Sequence, residues 1–252
     1  MRFQGRVALI SGAGAGIGRA TASIIGREGG TVVAVDLDQT ALDKLTAEIG
    51  SPRTLTVRAD ALDAAAVANV VRRAVDAHGR IDILVNAVGG STIISRPNAT
   101  LDELTLEEWQ KLIHFNLTGT FLFCHAVTPV MKRQGSGKIV NISSIAGRGL
   151  SRASSSAYAT AKGGIIALTR KLSLELGPHG ITVNAIAPSL TLSERIRPHW
   201  ERRTDAERTA EIERTPLRRV ANAEDQARVI CFLASADADF VTGVTIDVTG
   251  GQ

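Results

Sequence analysis

The sequence predicts a doubly wound α/β fold: one domain over residues 1–252, built on a parallel sheet with helices on both faces. Three observations carry this expectation. Apolar runs of strand length alternate with helical patterns along the chain, and near-continuous apolar strands belong to sheets that are covered on both sides. The first such run passes directly into a glycine-rich segment that opens a helix. No low-complexity linker or repeat divides the chain, and a hydrophobic fraction of 44% supplies enough apolar surface for one large core.

Taken in order, the strands are expected at Val7–Ser11, Thr31–Asp36, Thr54–Ala59, Ile83–Asn86, Lys138–Ile142, Thr182–Ile186 and Val244–Val248. Helices are expected between them, near 17–28, 40–49, 63–78, 105–133, 157–177 and 223–235. Thr105-Leu106-Glu107-Glu108 has the form of a capping box and marks a helix start. The helix near 157–177 contains Gly163-Gly164-Ile165-Ile166-Ala167-Leu168, small or apolar nearly all round. A helix without a polar face is buried on two sides, so a second copy of the chain is expected against it.

Bulk properties exclude several classes. A net charge of +4 and a basic isoelectric point permit nucleic-acid binding, but the cations are interleaved with acids and no DNA or RNA motif is present. No run approaches the roughly 20 apolar residues of a membrane span. The chain enters its first strand too early for a signal-peptide core, so a cytoplasmic protein is expected. Cys124 and Cys231 lie in apolar helical patterns and are read as buried structural thiols. The five histidines show no metal-binding spacing, and no metal is expected.

The glycine-rich segment is Ser11-Gly12-Ala13-Gly14-Ala15-Gly16-Ile17-Gly18. Glycines let backbone approach a pyrophosphate, and the following helix N-terminus attracts its charge. Asp36 stands eighteen residues beyond Gly18, at the end of the second strand. A carboxylate there holds both ribose hydroxyls and repels a 2′-phosphate, so NAD is expected rather than NADP. The alternative for Asp36 is a solvated turn residue.

Tyr158 is the only tyrosine, and Lys162 follows it by one helical turn. Residues four apart share a helix face, and a neighbouring ammonium favours a phenolate, lowering the phenol's pKa toward working pH. Such a phenol donates a proton to a ketone oxygen or accepts one from an alcohol. A half-buried tyrosine beside a solvated lysine is the structural alternative.

With Asp60-Ala61, Asn86-Ala87-Val88-Gly89, Asn116, Ile142-Ser143-Ser144, Tyr158 to Lys162 and Asn184-Ala185-Ile186-Ala187-Pro188, the chain resembles the short-chain dehydrogenase/reductase family over essentially its whole length. The tail Phe240 to Gly243 and Asp247 to Gly251 looks like the family's last strand. The resemblance implies a Rossmann-like sheet of seven strands and a homotetramer. It implies cofactor contacts from Gly12, Ala15, Gly16, Ile17 and Gly18, with Asp60 on the adenine amino group beside Ala61 and Asn86 beside the adenine-side ribose. Beyond Pro188, Thr191 and Ser193 would meet the nicotinamide carboxamide, and Lys162 the nearer ribose.

In catalysis the resemblance implies that Tyr158 exchanges the proton, Ser144 donates to the developing alkoxide and Asn116 holds a water that relays protons to Lys162. Adjacent serines point opposite ways on a strand, so one of Ser143 and Ser144 faces the site; the family pattern selects Ser144. The chain departs from that pattern in four places: Ser11 for threonine, Ala87-Val88 for Asn-Ala, Ser189 for glycine, and one extra residue between Ser144 and Tyr158. The extra residue predicts a bulge within Arg148 to Ser156.

The expected activity is hydride transfer between NAD(H) and a secondary alcohol or ketone, with a substrate lid near 190–215. An NADPH-dependent 3-oxoacyl-carrier-protein reductase and a non-catalytic dinucleotide sensor are the alternatives. Arg152, Arg195, Arg197 and His199 either bind an anionic substrate or form a solvated face.

Overall fold

The computed structural model of the protein describes residues 1–151 and 153–252. Seven strands form one parallel sheet: β1 (Val7–Ser11), β2 (Thr31–Asp36), β3 (Thr54–Arg58), β4 (Ile83–Asn86), β5 (Gly137–Ile142), β6 (Ile181–Pro188) and, last in the chain, β9 (Thr245–Val248). Their order across the sheet is β3-β2-β1-β4-β5-β6-β9. A small separate pair, β7 (Thr191–Leu192) and β8 (Ala221–Asn222), lies outside it.

The alternation of side chains along each strand divides the core in two. Ala8, Ile10, Val32 and Ala34 point to one face, where they meet α1 (Gly16–Arg27), α2 (Gln39–Ile49) and α9 (Ala223–Leu233). Val7, Leu9, Val33 and Val35 point to the other, against α3 (Ala64–His78), α5 (Gly119–Gln134) and the end of α6 (Ser156–Leu176). Cys231 is buried in the first layer and Cys124 in the second; burial pushes both thiols up to about 12, so neither ionises near neutrality.

The chain winds from β1 outward to β3, then returns to β4 on the other side of β1 and winds outward again. The reversal between β1 and β4 leaves a crevice beyond the carboxyl ends of the strands.

Predicted and observed elements differ most at the helix expected over 105–133. It begins as α4 (Leu106–Ile113), with the Thr105–Glu108 capping box in place. It then widens into one π-helical turn at His114–Thr118 before α5. Such turns insert one extra residue into a helix and occur at functional sites; here the insertion carries Asn116. The segment 190–215 contains β7 and two short helices, α7 (Arg197–Glu201) and α8 (Asp205–Arg214). No helix among the described residues is long and apolar enough to cross a membrane.

Candidate active site

The crevice is a cleft of about 420 Å³. At one end lies the loop between β1 and α1. Gly12 adopts φ +68°, and a Cβ there would stand 3.0 Å from the Ala87 carbonyl carbon. A Cβ on Gly18 would fall 2.1 Å from the Gly12 oxygen, so only glycine lets the helix start beneath the loop. Gly18 therefore shapes the cradle without lining the cleft, whereas Gly12, Ala15, Gly16 and Ile17 line it directly.

The N-cap residue of α1, Ala15, has no side-chain acceptor to cap the helix, so the first N–H groups keep their affinity for an anion. That affinity is already in use: the Gly16 N–H donates to Glu194 Oε2 at 2.8 Å. A carboxylate from the chain itself stands where a dinucleotide would place its pyrophosphate, and the cradle fits such a group.

Asp36 closes the same end. Its Oδ2 accepts from the Gly14 N–H at 2.9 Å and its Oδ1 from the Asp38 N–H at 3.1 Å. These bonds fix the carboxylate at the rim beside the loop. Asp60 and Ala61 line the neighbouring wall, Asp60 with its Oδ1 on the Leu62 N–H at 2.9 Å.

At the other end, α6 brings in Tyr158 and Lys162. Ser155 caps the helix through the Tyr158 N–H. Ser143 Oγ donates to the Lys162 carbonyl at 2.7 Å, tying the helix to the end of β5. Ser144 is the serine at the phenol, where its hydroxyl favours the phenolate. Lys162 Nζ lies 5.8 Å from the Tyr158 ring centroid and donates to the Ile142 carbonyl at 2.8 Å. Pro188, Thr191 and Ser193 line the facing wall.

The electrostatics correct the sequence expectation. Tyr158 keeps part of its surface in the cleft but lies deep among protein atoms, and burial raises its pKa above the ordinary phenol value. The Ser144 hydroxyl and the Arg195 charge oppose the rise without cancelling it. Lys162, only 3% exposed, is itself pushed down to about 7, first by burial and then by Arg195. Spacing alone puts a full ammonium beside the phenol. Desolvation acts on both groups and leaves the phenol protonated and the amine near its midpoint at neutral pH.

Asn116 lies behind this end, fully buried. Its Oδ1 accepts from the Gly90 N–H at 2.8 Å, and its Nδ2 donates to the Gly90 carbonyl at 3.1 Å and the Leu112 carbonyl at 2.9 Å. The side chain holds the Gly89-Gly90 wall and does not line the cleft.

Asn86 is a correction. Its side chain is turned into the sheet, where Nδ2 donates to Asn141 Oδ1 at 2.8 Å, and Asn141 in turn donates to Thr169 Oγ1 at 2.9 Å. Ala87 and Val88, just past the end of β4, line the cleft instead.

Between Ser144 and Tyr158 the chain forms a 3-10 turn at Ile145–Arg148, ending at Gly149 with φ +76°. Arg148 then ties to Asp247 at 3.0 Å. Of the cations considered for an anionic substrate, Arg195 lines the cleft. His199 pairs with Arg202 instead, and Arg152 lies outside the described residues. Sequence reasoning missed Glu194: an acid 178 residues from Gly16 carries no local signal of the contact.

Residues 12–252 match the family model described as Enoyl-(Acyl carrier protein) reductase. The chain is 37% identical over 257 residues to the 3-oxoacyl-acyl-carrier-protein reductase of Thermotoga maritima, covering 100% of this chain and 99% of that protein. It is 34% identical over 251 residues to the 2-dehydro-3-deoxy-L-rhamnonate dehydrogenase (NAD(+)) of Sphingomonas sp. strain SKA58, covering 100% and 96%. The crystal structure of levodione reductase superimposes with a TM-score of 0.89 at 35% identity, over 100% of this chain and 98% of that one.

Proposed function

The chain belongs to the short-chain dehydrogenase/reductase family, and on that premise we propose that it is an NAD-dependent dehydrogenase of a secondary alcohol, or reductase of the matching ketone. One observation carries the reading: a phenol, a hydroxyl and a buried amine converge at one end of a cleft whose other end is an anion cradle bordered by Asp36.

A nicotinamide dinucleotide held by Gly12, Ala15, Gly16, Ile17, Asp36 and Asp60 would supply or accept the hydride. The protein's own groups manage the proton and the oxygen. With its pKa raised, the Tyr158 hydroxyl is a proton donor at neutral pH and suits protonation of a ketone oxygen. Ser144 Oγ donates to the same oxygen as negative charge develops, a role whose loss elsewhere costs about 2.7–4 kcal/mol. Lys162 Nζ, near 7, takes up or releases the proton that resets Tyr158. In oxidation the same groups run in reverse. Asn116 acts as a positioning residue, keeping Gly89 and Gly90 against Lys162.

Support for NAD comes from Asp36 and from a relative whose name states NAD(+). Substrates enter under the segment 190–215, which serves as the lid. Phe121, 49% exposed on α5, and Leu174, 61% exposed on α6, leave apolar surface open on these helices and support a homo-oligomeric assembly.

A screen of NAD reduction over secondary alcohols, with Tyr158→Phe alongside, tests the reading. Turnover is expected in the native protein; Tyr158→Phe is expected to lose at least a hundredfold in kcat while NADH still binds. Near-normal activity in that variant would overturn the assignment, and NADH binding without turnover on any probe would favour the sensor alternative. The likeness to the Thermotoga enzyme favours a second reading, a 3-oxoacyl-acyl-carrier-protein reductase. Preference for NADPH with an acyl-carrier-protein thioester would select it.

A further inference from the structure

We propose that Arg195 recognises a carboxylate on the substrate, so that the enzyme acts on hydroxy acids or keto acids in preference to neutral alcohols and ketones. The inference rests on the dehydrogenase reading above for the site's location.

The cleft is electrostatically polar along its length. Its two lining carboxylates, Asp36 and Asp60, follow β2 and β3 on one side of the topological reversal. Its two lining cations, Lys162 and Arg195, gather at the other end, where no carboxylate lines the wall among the described residues. Two cations converging on one end are costly unless an anion joins them. Their mutual repulsion is visible in Lys162, whose charged form Arg195 disfavours.

Arg195 is also chemically available. Its guanidinium reaches over the Gly89-Gly90 peptide, where Nη1 donates to the Gly89 carbonyl at 2.9 Å. A Cβ on Gly90 would lie 2.5 Å from both Nη atoms, so glycine is what admits the guanidinium to this position. Among the described residues it forms no ion pair, whereas most arginines of the neighbouring helical segment are paired, Arg203 and Arg214 with Glu211 and Arg208 with Asp205. A planar fork with donors to spare suits a carboxylate. Arg195 and Lys162 Nζ stand against the adjacent positions Gly90 and Gly89, so an anion held by the guanidinium would lie at the catalytic end of the cleft, where the same charge acts on the Tyr158 phenol.

The test is calorimetric binding of non-reactive ligands to the protein saturated with NADH: cyclohexanecarboxylate and hexanoate, each against its primary amide. Native protein is expected to bind the carboxylates at least tenfold more tightly than the amides. Arg195→Met should weaken carboxylate binding at least tenfold, with amide and NADH binding unchanged, and Arg195→Lys should restore part of the loss. Equal affinity for acid and amide in the native protein would overturn the inference. So would an Arg195→Met variant that loses NADH affinity as much as carboxylate affinity, which would assign the arginine to the dinucleotide's phosphates. Carboxylate binding through Arg195 without oxidation of any alcohol would refute the dehydrogenase reading while upholding the carboxylate site at Arg195.

Discussion

The Glu194 carboxylate sits on the Gly16 N–H at 2.8 Å, at the start of α1, where the N-cap residue Ala15 offers no side-chain acceptor of its own. The contact satisfies a helix terminus that would otherwise face solvent, and it uses an N–H that a bound pyrophosphate would draw on. On the dinucleotide reading, cofactor binding has to displace Glu194 from the Gly16 N–H. An exposed anion at a helix N-terminus contributes about 0.3–1 kcal/mol. Glu194→Gln keeps an acceptor but removes the charge, so NADH should bind about twofold to fivefold more tightly. Titration of NADH fluorescence at low and high salt would show this, the gain shrinking as salt rises. An unchanged or weaker affinity would mean that the carboxylate does not compete with the cofactor.

Much of this site was legible in the sequence because its signals are local. The glycine loop, Asp36, and the Tyr158–Lys162 pair each act through residues close in the chain, and the strand alternation fixed which end of the sheet they share. Strand divergence allowed only one of Ser143 and Ser144 to face the phenol, and the family resemblance, not the spacing, selected Ser144. Two kinds of information were not legible. Long-range contacts such as Glu194 on Gly16, and the inward turn of Asn86 toward Asn141, depend on how elements pack rather than on what they contain. Desolvation is the second: spacing brings Lys162 to Tyr158, but only the packed structure reveals that burial outweighs the attraction.

The lysine makes a distinctive prediction about stability. Lys162 titrates at 10.5 in a solvated chain and about 7 in the folded protein. Between those values the unfolded chain holds the extra proton, so stability rises with pH across this window. The burial penalty is fully present below about pH 7 and vanishes above about 10.5. Lys162→Met removes the dependence. Without cofactor, the native protein's unfolding free energy minus the variant's should climb from pH 7.5 to 9.5, by up to about 1.4 kcal/mol per unit. Denaturant unfolding at several pH values measures the difference; a flat one would mean that Nζ keeps its water.

Asn116 is expected to affect both stability and turnover. Asn116→Ala leaves the Gly90 N–H and carbonyl without their partner in a buried place, at about 1–3 kcal/mol for such a group. A fall in melting temperature of about 4–8 °C follows for a loss near 2 kcal/mol in a chain of this size. The loosened wall faces Lys162, so kcat should fall more than NADH affinity. Thermal unfolding and steady-state kinetics read the two effects. A variant of native stability and native kcat would show that the π-helical turn holds the wall without its asparagine.

The NAD reading makes Asp36 the residue that selects between the two nicotinamide cofactors. Its carboxylate is held beside the loop by the Gly14 and Asp38 N–H groups, and the arginine across from it on β3, Arg58, directs its Nε to the Leu37 carbonyl. A 2′-phosphate would bring a second anion against this carboxylate. Asp36→Asn keeps an oxygen for the Gly14 N–H while removing the charge, so the loop should hold its shape as the repulsion disappears. The KM for NADP should then fall at least tenfold, and the KM for NAD should rise modestly because a neutral amide is a poorer acceptor for the ribose hydroxyls. Paired kinetics with both cofactors measure the ratio. If the native protein already prefers NADP, the carboxylate does not govern the choice, and the acyl-carrier-protein reductase reading gains what the alcohol dehydrogenase reading loses.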